Sequence, residues 1–171
     1  MSAEEIDRFV PEPGAGEREM LRGWLDFHRA TLVRKLHGLT PEQLALRPAP
    51  PSDMSLLGLL RHHAEGERWM FGCLFLGEPD VPYFGREDFG DFTGADQSMV
   101  DASWDTWQVA CERSRAIEAA AQLDDLSAEA GPWHDEPVSM RWLLMHMIEE
   151  YARHNGHADL LRERIDGNTG W

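Results

Sequence analysis

Four long stretches of this chain repeat apolar residues at three- and four-residue spacing, and proline or glycine breaks the chain between them. That period puts the apolar side chains of each stretch on one face of an α-helix, and the face must be buried against something. The stretches run from about Glu17 to His37, Ser55 to Leu76, Met99 to Gln122 and Ser139 to Ile165. Leu, Ala, Glu and Arg are abundant while Val, Ile and Thr are scarce, a choice that favours helix over strand. No segment alternates convincingly, so no strand is predicted. With 171 residues the chain fits one domain, residues 1–171, and four apolar faces are satisfied together in an all-α four-helix bundle.

Local signals support these limits. Thr40-Pro41-Glu42-Gln43 has the form of a capping box with proline in the first turn, opening a short helix that ends before Pro48. Gly38 suits the position after the first helix, and Asp166-Gly167 suits the end of the last. Ser98 with Asp101 is expected to cap the third. Residues 1–15 read as an irregular lead-in. Residues 78–97 form a long loop carrying Tyr83, Phe84, Phe89 and Phe92, expected to pack over a pocket with Tyr83 or Phe84 near its mouth.

Charge narrows the function classes. Sixteen Lys and Arg stand against 31 Asp and Glu, a net charge of −15. Nucleic acid and anionic membrane surfaces both call for a cationic face, so neither is an expected partner. No apolar run approaches the roughly 20 residues of a membrane helix, and the N-terminus shows no signal-peptide core. Cys73 and Cys111 sit in helical patterns and make no disulfide framework, which points to a reducing cytoplasm. Of seven tryptophans, Trp24, Trp69, Trp104, Trp107 and Trp142 fall in helical stripes and read as core. Trp133 and Trp171 are the better interface candidates.

The chemistry concentrates on the second and fourth helices. Along the fourth, Met140, Leu143, Met147, Glu150, His154, Ala158, Leu161 and Ile165 share one stripe. Glu150 and His154 are out of place in an apolar face, because an uncompensated carboxylate there costs several kcal/mol. Four residues apart, they lie one turn apart and can grip one divalent ion, with each ligand atom about 2.0–2.2 Å from zinc. A buried Glu–His pair, or a face that opens on solvent, is the plainer reading of that spacing. A third ligand comes from Arg61-His62-His63-Ala64-Glu65 on the second helix. Neighbouring helical residues point about 100° apart, so one of the two histidines faces the site, and periodicity does not choose between His62 and His63. His146 and His157 are further candidates. No zinc-protease motif, nucleophile elbow or phosphate-binding glycine loop is present.

The run from His146 to Glu163, with His146, Glu150, His154 and His157, resembles the last-helix signature of the DinB-like, or YfiT-type, superfamily. The run from Leu56 to Trp69 resembles its second-helix signature. Trp24 to Leu32 and the ending Arg164 to Gly170 also fit. More closely, the chain is similar to an uncharacterised actinobacterial branch that includes "mini-circle" proteins. The resemblance implies an up-down-down-up four-helix bundle, often a homodimer. It also implies a three-residue metal site, carried over by position as His62, Glu150 and His154. The family's usual residue after the second-helix histidine is apolar, and here it is His63. Many relatives have His in place of Glu150, whereas thiol-using members such as mycothiol-dependent maleylpyruvate isomerase have Glu.

Three protein ligands leave room for water or substrate, while a fourth from His157 or His146 would close the site into a structural one. The ion is expected to be zinc, with nickel, iron or manganese also suited to the donor set. The leading expectation is transfer of a low-molecular-weight thiol, of the mycothiol type, to a small electrophile, with His157 or His146 orienting a ligand. The alternatives are a hydrolase that activates water and a non-enzymatic metal-binding dimer.

Overall fold

A computed structural model describes residues 7–85, 90–131, 133 and 135–170. Helix α1 spans Glu17–Leu36, α2 Pro41–Ala45 and α3 Leu56–Glu67. The chain continues from α3 without a break as a π-helix, Arg68–Phe75. Then come α4 (Gly90–Thr93), a 3-10 turn (Gln97–Met99), α5 (Val100–Ala120) and α6 (Met140–Asp166). The molecule is mostly helical, and among the described residues no helix is long and apolar enough to cross a membrane.

The long stretches are helical where the periodicity places them, with ends shifted by at most two residues. The Thr40–Gln43 capping box forms in both directions. Ser55 and Ser139 accept the amides of Gly58 and Trp142 and so start α3 and α6. Gly167 ends α6 at a φ of 79°, where a side chain would be strained. The third helix begins differently from the expectation. Asp96, not Ser98 with Asp101, does the capping, its carboxylate accepting the Ser98 amide at 2.9 Å ahead of the 3-10 turn.

The expectation of no strands is corrected. Strands β1 (Leu126–Ala130) and β2 (Pro137–Ser139) pair antiparallel, Leu126 with Ser139 and Ala130 with Pro137. Only Ser127 and Val138 are buried, so there is no apolar alternation to read. Backbone pairing carries the sheet, helped by Ser127 Oγ accepting the Val138 amide at 2.9 Å.

Helix α1 packs along α6 and α3 along α5, and α3 also meets α6 and α1. Leucines fill the space between, among them Leu25, Leu32, Leu57, Leu60 and Leu143. Of the tryptophans only Trp107 is fully buried, and Trp133 is exposed; Trp171 and Phe89 lie outside the described residues. Gly58 lets α4 come close to α3: a Cβ there would sit 2.7 Å from Phe92 Cδ1 and 3.3 Å from its Cα. A Cβ at Gly156, on the exposed side of α6, would meet nothing within 4 Å. Thermal melting should therefore separate two identical substitutions. Gly156→Ala stabilises by about 0.5–1 kcal/mol through chain entropy. Gly58→Ala receives the same entropic gain but loses about 1–3 kcal/mol to overpacking, and is net destabilising. Equal melting points for the two variants would refute the close α3–α4 contact.

Candidate metal centre

The buried residues of α6 are Met140, Leu143, Leu144, Met147, Tyr151, Asn155, Ala158 and Leu161. The stripe therefore passes through Tyr151 and Asn155, and the expectation that Glu150 and His154 occupy it is corrected. Steps of three and four connect Met147 to Ala158 by either route, so spacing could not tell them apart. Glu150 and His154 stand at the border of the core, with side chains 22% and 12% exposed. This placement lessens the desolvation cost of the carboxylate and leaves the pair reachable.

His62, Glu150 and His154 come together there. Each offers one ligand atom, and these atoms all lie within 4.8 Å of one another. His154 Nε2 is 3.4 Å from Glu150 Oε2, and the His62 and His154 ring centroids are 4.8 Å apart. The other oxygen, Glu150 Oε1, faces Arg153 at 3.2 Å. Burial, with the nearby charges of His62, His157 and Arg153, pushes the His154 imidazole down to about 4. It is thus neutral near pH 7, the form that offers a lone pair to a cation. Two imidazoles and a carboxylate are a donor set that suits zinc and its first-row neighbours.

Both imidazoles have a partner on Nδ1. His62 Nδ1 is 2.7 Å from Asp91 Oδ2, and the Phe92 ring lies 5.3 Å from the His62 ring. Burial opposes ionisation of Asp91, but the hydrogen bond and charge of His62 and the Phe92 amide outweigh it and lower the carboxyl's pKa. His154 Nδ1 is 3.3 Å from His157 Nδ1. His157 thus lies behind His154 rather than among the three converging ligand atoms. Asp91 was missed by sequence reasoning. It sits in the loop of residues 78–97, and nothing in the spacing of 29 residues ties it to His62.

His63 takes a different place. It is 2% exposed and stacks on Tyr151 with ring centroids 3.8 Å apart at 7°. Burial first, then the charges of His62, His154 and Arg29, hold its imidazole well below the ordinary value. Its ring is 5.3 Å from that of His154, so it supports the site from beneath. Below it lies a buried polar cluster that sequence reading also missed. Arg29 Nε and Nη2 donate to Glu67 Oε1 and Oε2, each at 2.7 Å. Tyr151 Oη donates to Glu67 Oε1 at 2.9 Å, and Trp107 Nε1 donates to Tyr151 Oη at 3.0 Å. Cys111 is enclosed here, and burial beside Glu67 pushes its thiol far up, away from nucleophilic character.

His146 stacks on Trp142, with centroids 5.1 Å apart, and Trp133 lies 4.8 Å away. With Glu149 and Glu150 it makes a second group of ligand-type atoms, but Arg153 pairs with both carboxylates. Beside His62 a cleft of about 620 Å³ opens, lined by Trp69, Glu65, Arg68, Asp80, Pro82 and Asp91 among others. The loop of residues 78–97 thus forms one wall. Tyr83 is exposed, while Phe84 lies under the Arg61 guanidinium at 4.3 Å and its amide donates to Glu65 Oε1 at 2.8 Å.

A sequence model of the family described as Mycothiol-S-transferase matches residues 20–167. No curated protein matches the chain. The matched span contains α1 to α6 except the first three residues of α1, and with them every residue of the His62, Glu150 and His154 group. The chain belongs to the mycothiol S-transferase family, within the DinB/YfiT-like superfamily.

Proposed function

We propose that this member of the mycothiol S-transferase family is a divalent-metal-dependent enzyme that transfers a mycothiol-type thiol to a small electrophile. The observation that carries the reading is the convergence of His62, Glu150 and His154, of which His62 also lines a cleft. Zinc is the leading ion; nickel, iron and manganese fit the same donors. His62, Glu150 and His154 would hold the ion, and when bound it would favour the thiolate form of the thiol, the nucleophile.

The chain's own residues do the rest. His62 and His154 are oriented by Asp91 and His157 from behind. Glu150 brings negative charge that partly offsets that of the ion. Trp69 and the Glu65–Arg68–Asp80 group give the cleft one apolar wall and one polar wall, suited to a small substrate with both kinds of surface. In the transfer, sulfur forms a bond to the electrophilic carbon, the thiol proton passes to solvent, and the leaving group departs with its electron pair. The four long helices are proposed to form one up-down-down-up bundle over residues 1–171. The same reading makes the protein a cytoplasmic homodimer.

The test is thiol dependence. Zinc-loaded protein should consume a haloalkyl or haloaryl electrophile only when mycothiol is added, with chelator-treated protein falling to the uncatalysed rate. Zinc-dependent cleavage of esters or amides without any thiol would replace this reading with water activation. One ion per chain with neither activity nor thiol binding would leave a metal-binding bundle.

A further inference from the structure

The turn that carries Asp91 is only four residues long, Gly90–Thr93. A helix so short does not hold itself, since forming one turn fixes several dihedrals for a single hydrogen bond. Its place must be set from outside, and two arginines hold it. Arg61, 3% exposed, donates from Nη1 to the Gly94 carbonyl at 2.5 Å and from Nη2 to the Gly90 carbonyl at 2.9 Å. The same guanidinium lies 4.3 Å from the centre of the Phe84 ring. From the more exposed side, Arg47 Nη2 donates to the Thr93 carbonyl at 3.0 Å and the Phe92 carbonyl at 3.4 Å. Four carbonyls of one turn are gripped by two arginines, and Arg61 spans two of them with both ends of its planar fork, a geometry that an ammonium group does not reproduce.

We infer that Arg61 is a positioning residue for the metal centre, acting through the Gly90–Thr93 turn to hold Asp91 against His62. This rests on the metal reading above. Arg61 precedes His62 on α3, so the residue that holds the turn and the ligand that meets it are adjacent. A neutral imidazole carries one N–H, and a carboxylate can only accept. Asp91 therefore keeps the hydrogen of His62 on Nδ1 and leaves the Nε2 lone pair for a cation. Were the turn to drift, the other tautomer would become populated, with its hydrogen on the nitrogen the ion needs. Losing an outer partner of this kind typically weakens metal binding about 10- to 100-fold.

The experiment compares wild type, Asp91→Ala, Arg61→Met and the double variant in two ways. Zinc affinity is read by competition with a chromophoric chelator. The His62 tautomer is read from imidazole 15N shifts of zinc-free protein at pH 8. Each single variant should bind zinc about 10- to 100-fold more weakly and show a mixture of tautomers where wild type shows Nδ1–H. The double variant should be no weaker than Asp91→Ala, because both changes act through one contact. Arg47→Met, at the exposed end of the clamp, should weaken zinc binding in the same direction by a smaller factor; it supplies the test if Arg61→Met fails to fold. Wild-type affinity and tautomer in Arg61→Met, or losses that add in the double variant, would overturn the inference. If wild-type protein binds no zinc, the metal reading beneath it falls, and the tautomer spectra alone then decide whether Arg61 positions Asp91.

Discussion

Replacing His154 by alanine should leave the protein folded and empty its metal centre. Wild-type protein purified without chelator is expected to carry about one divalent ion per chain by elemental analysis, and His154→Ala essentially none. His62→Ala should do the same. With three protein ligands, removing one leaves a pair, and the effect should exceed the roughly 10- to 100-fold loss that follows removal of an outer partner. His63→Ala is the control that makes this specific. His63 stacks on Tyr151 and is absent from the group of converging ligand atoms, so its removal should cost stability and leave about one ion per chain. Loss of metal from His63→Ala with retention in His62→Ala would exchange the roles of the two. Unchanged content in His154→Ala would remove the metal reading.

The second large effect is on stability, one layer below. Glu67→Leu should destabilise the fold by about 3–5 kcal/mol, because the buried Arg29 guanidinium loses both bonds to Glu67 and keeps its more exposed contact to Asp26 at 3.0 Å. Glu67 holds that guanidinium's pKa well above its ordinary value in spite of burial, and an arginine keeps its charge even when such a partner is removed. Tyr151 and Cys111 lose an acceptor in the same step. For a chain of this size the melting temperature should fall by roughly 6–20 °C. The double variant Arg29→Met with Glu67→Leu should regain much of the loss, since apolar residues of similar volume often replace a buried pair at little or no cost. Denaturant titration reads both. A loss below about 1 kcal/mol in Glu67→Leu would show that the pair is not desolvated as its geometry indicates. Glu67 touches none of His62, Glu150 and His154, so folded Glu67→Leu should keep its metal, which separates this experiment from the first.

The two experiments bear on features of very different legibility. The Glu150–His154 pair could be read as a pair because its members are one helical turn apart, and local spacing fixes their relation before any packing occurs. Periodicity did not choose between His62 and His63; only the family resemblance pointed to His62. Both continue apolar stripes of α3, and the π-helical stretch that follows changes the turn width, so residues beyond Arg68 no longer keep the phase on which a stripe is judged. No local pattern in the sequence joins Arg29 to Glu67. Their burial is a property of two helices brought together across 38 residues of chain.

What the sequence determined by itself was governed by contacts within a few residues, although the Asp96 cap and the β1–β2 pairing escaped it. The long helices, the Thr40–Gln43 capping box, the end of α6 at Gly167 and the candidate ligands on α3 and α6 all follow from the 3.6-residue period and from side-chain oxygens that reach nearby amides. Tertiary structure decided that His62 meets Glu150 and His154 while His63 stacks on Tyr151, that Tyr151 rather than Glu150 enters the core, and that Asp91 pairs with His62. Those outcomes depend on how whole elements pack against one another. Packing energy is a sum of contacts between residues far apart in the chain, and no local pattern of residues records it.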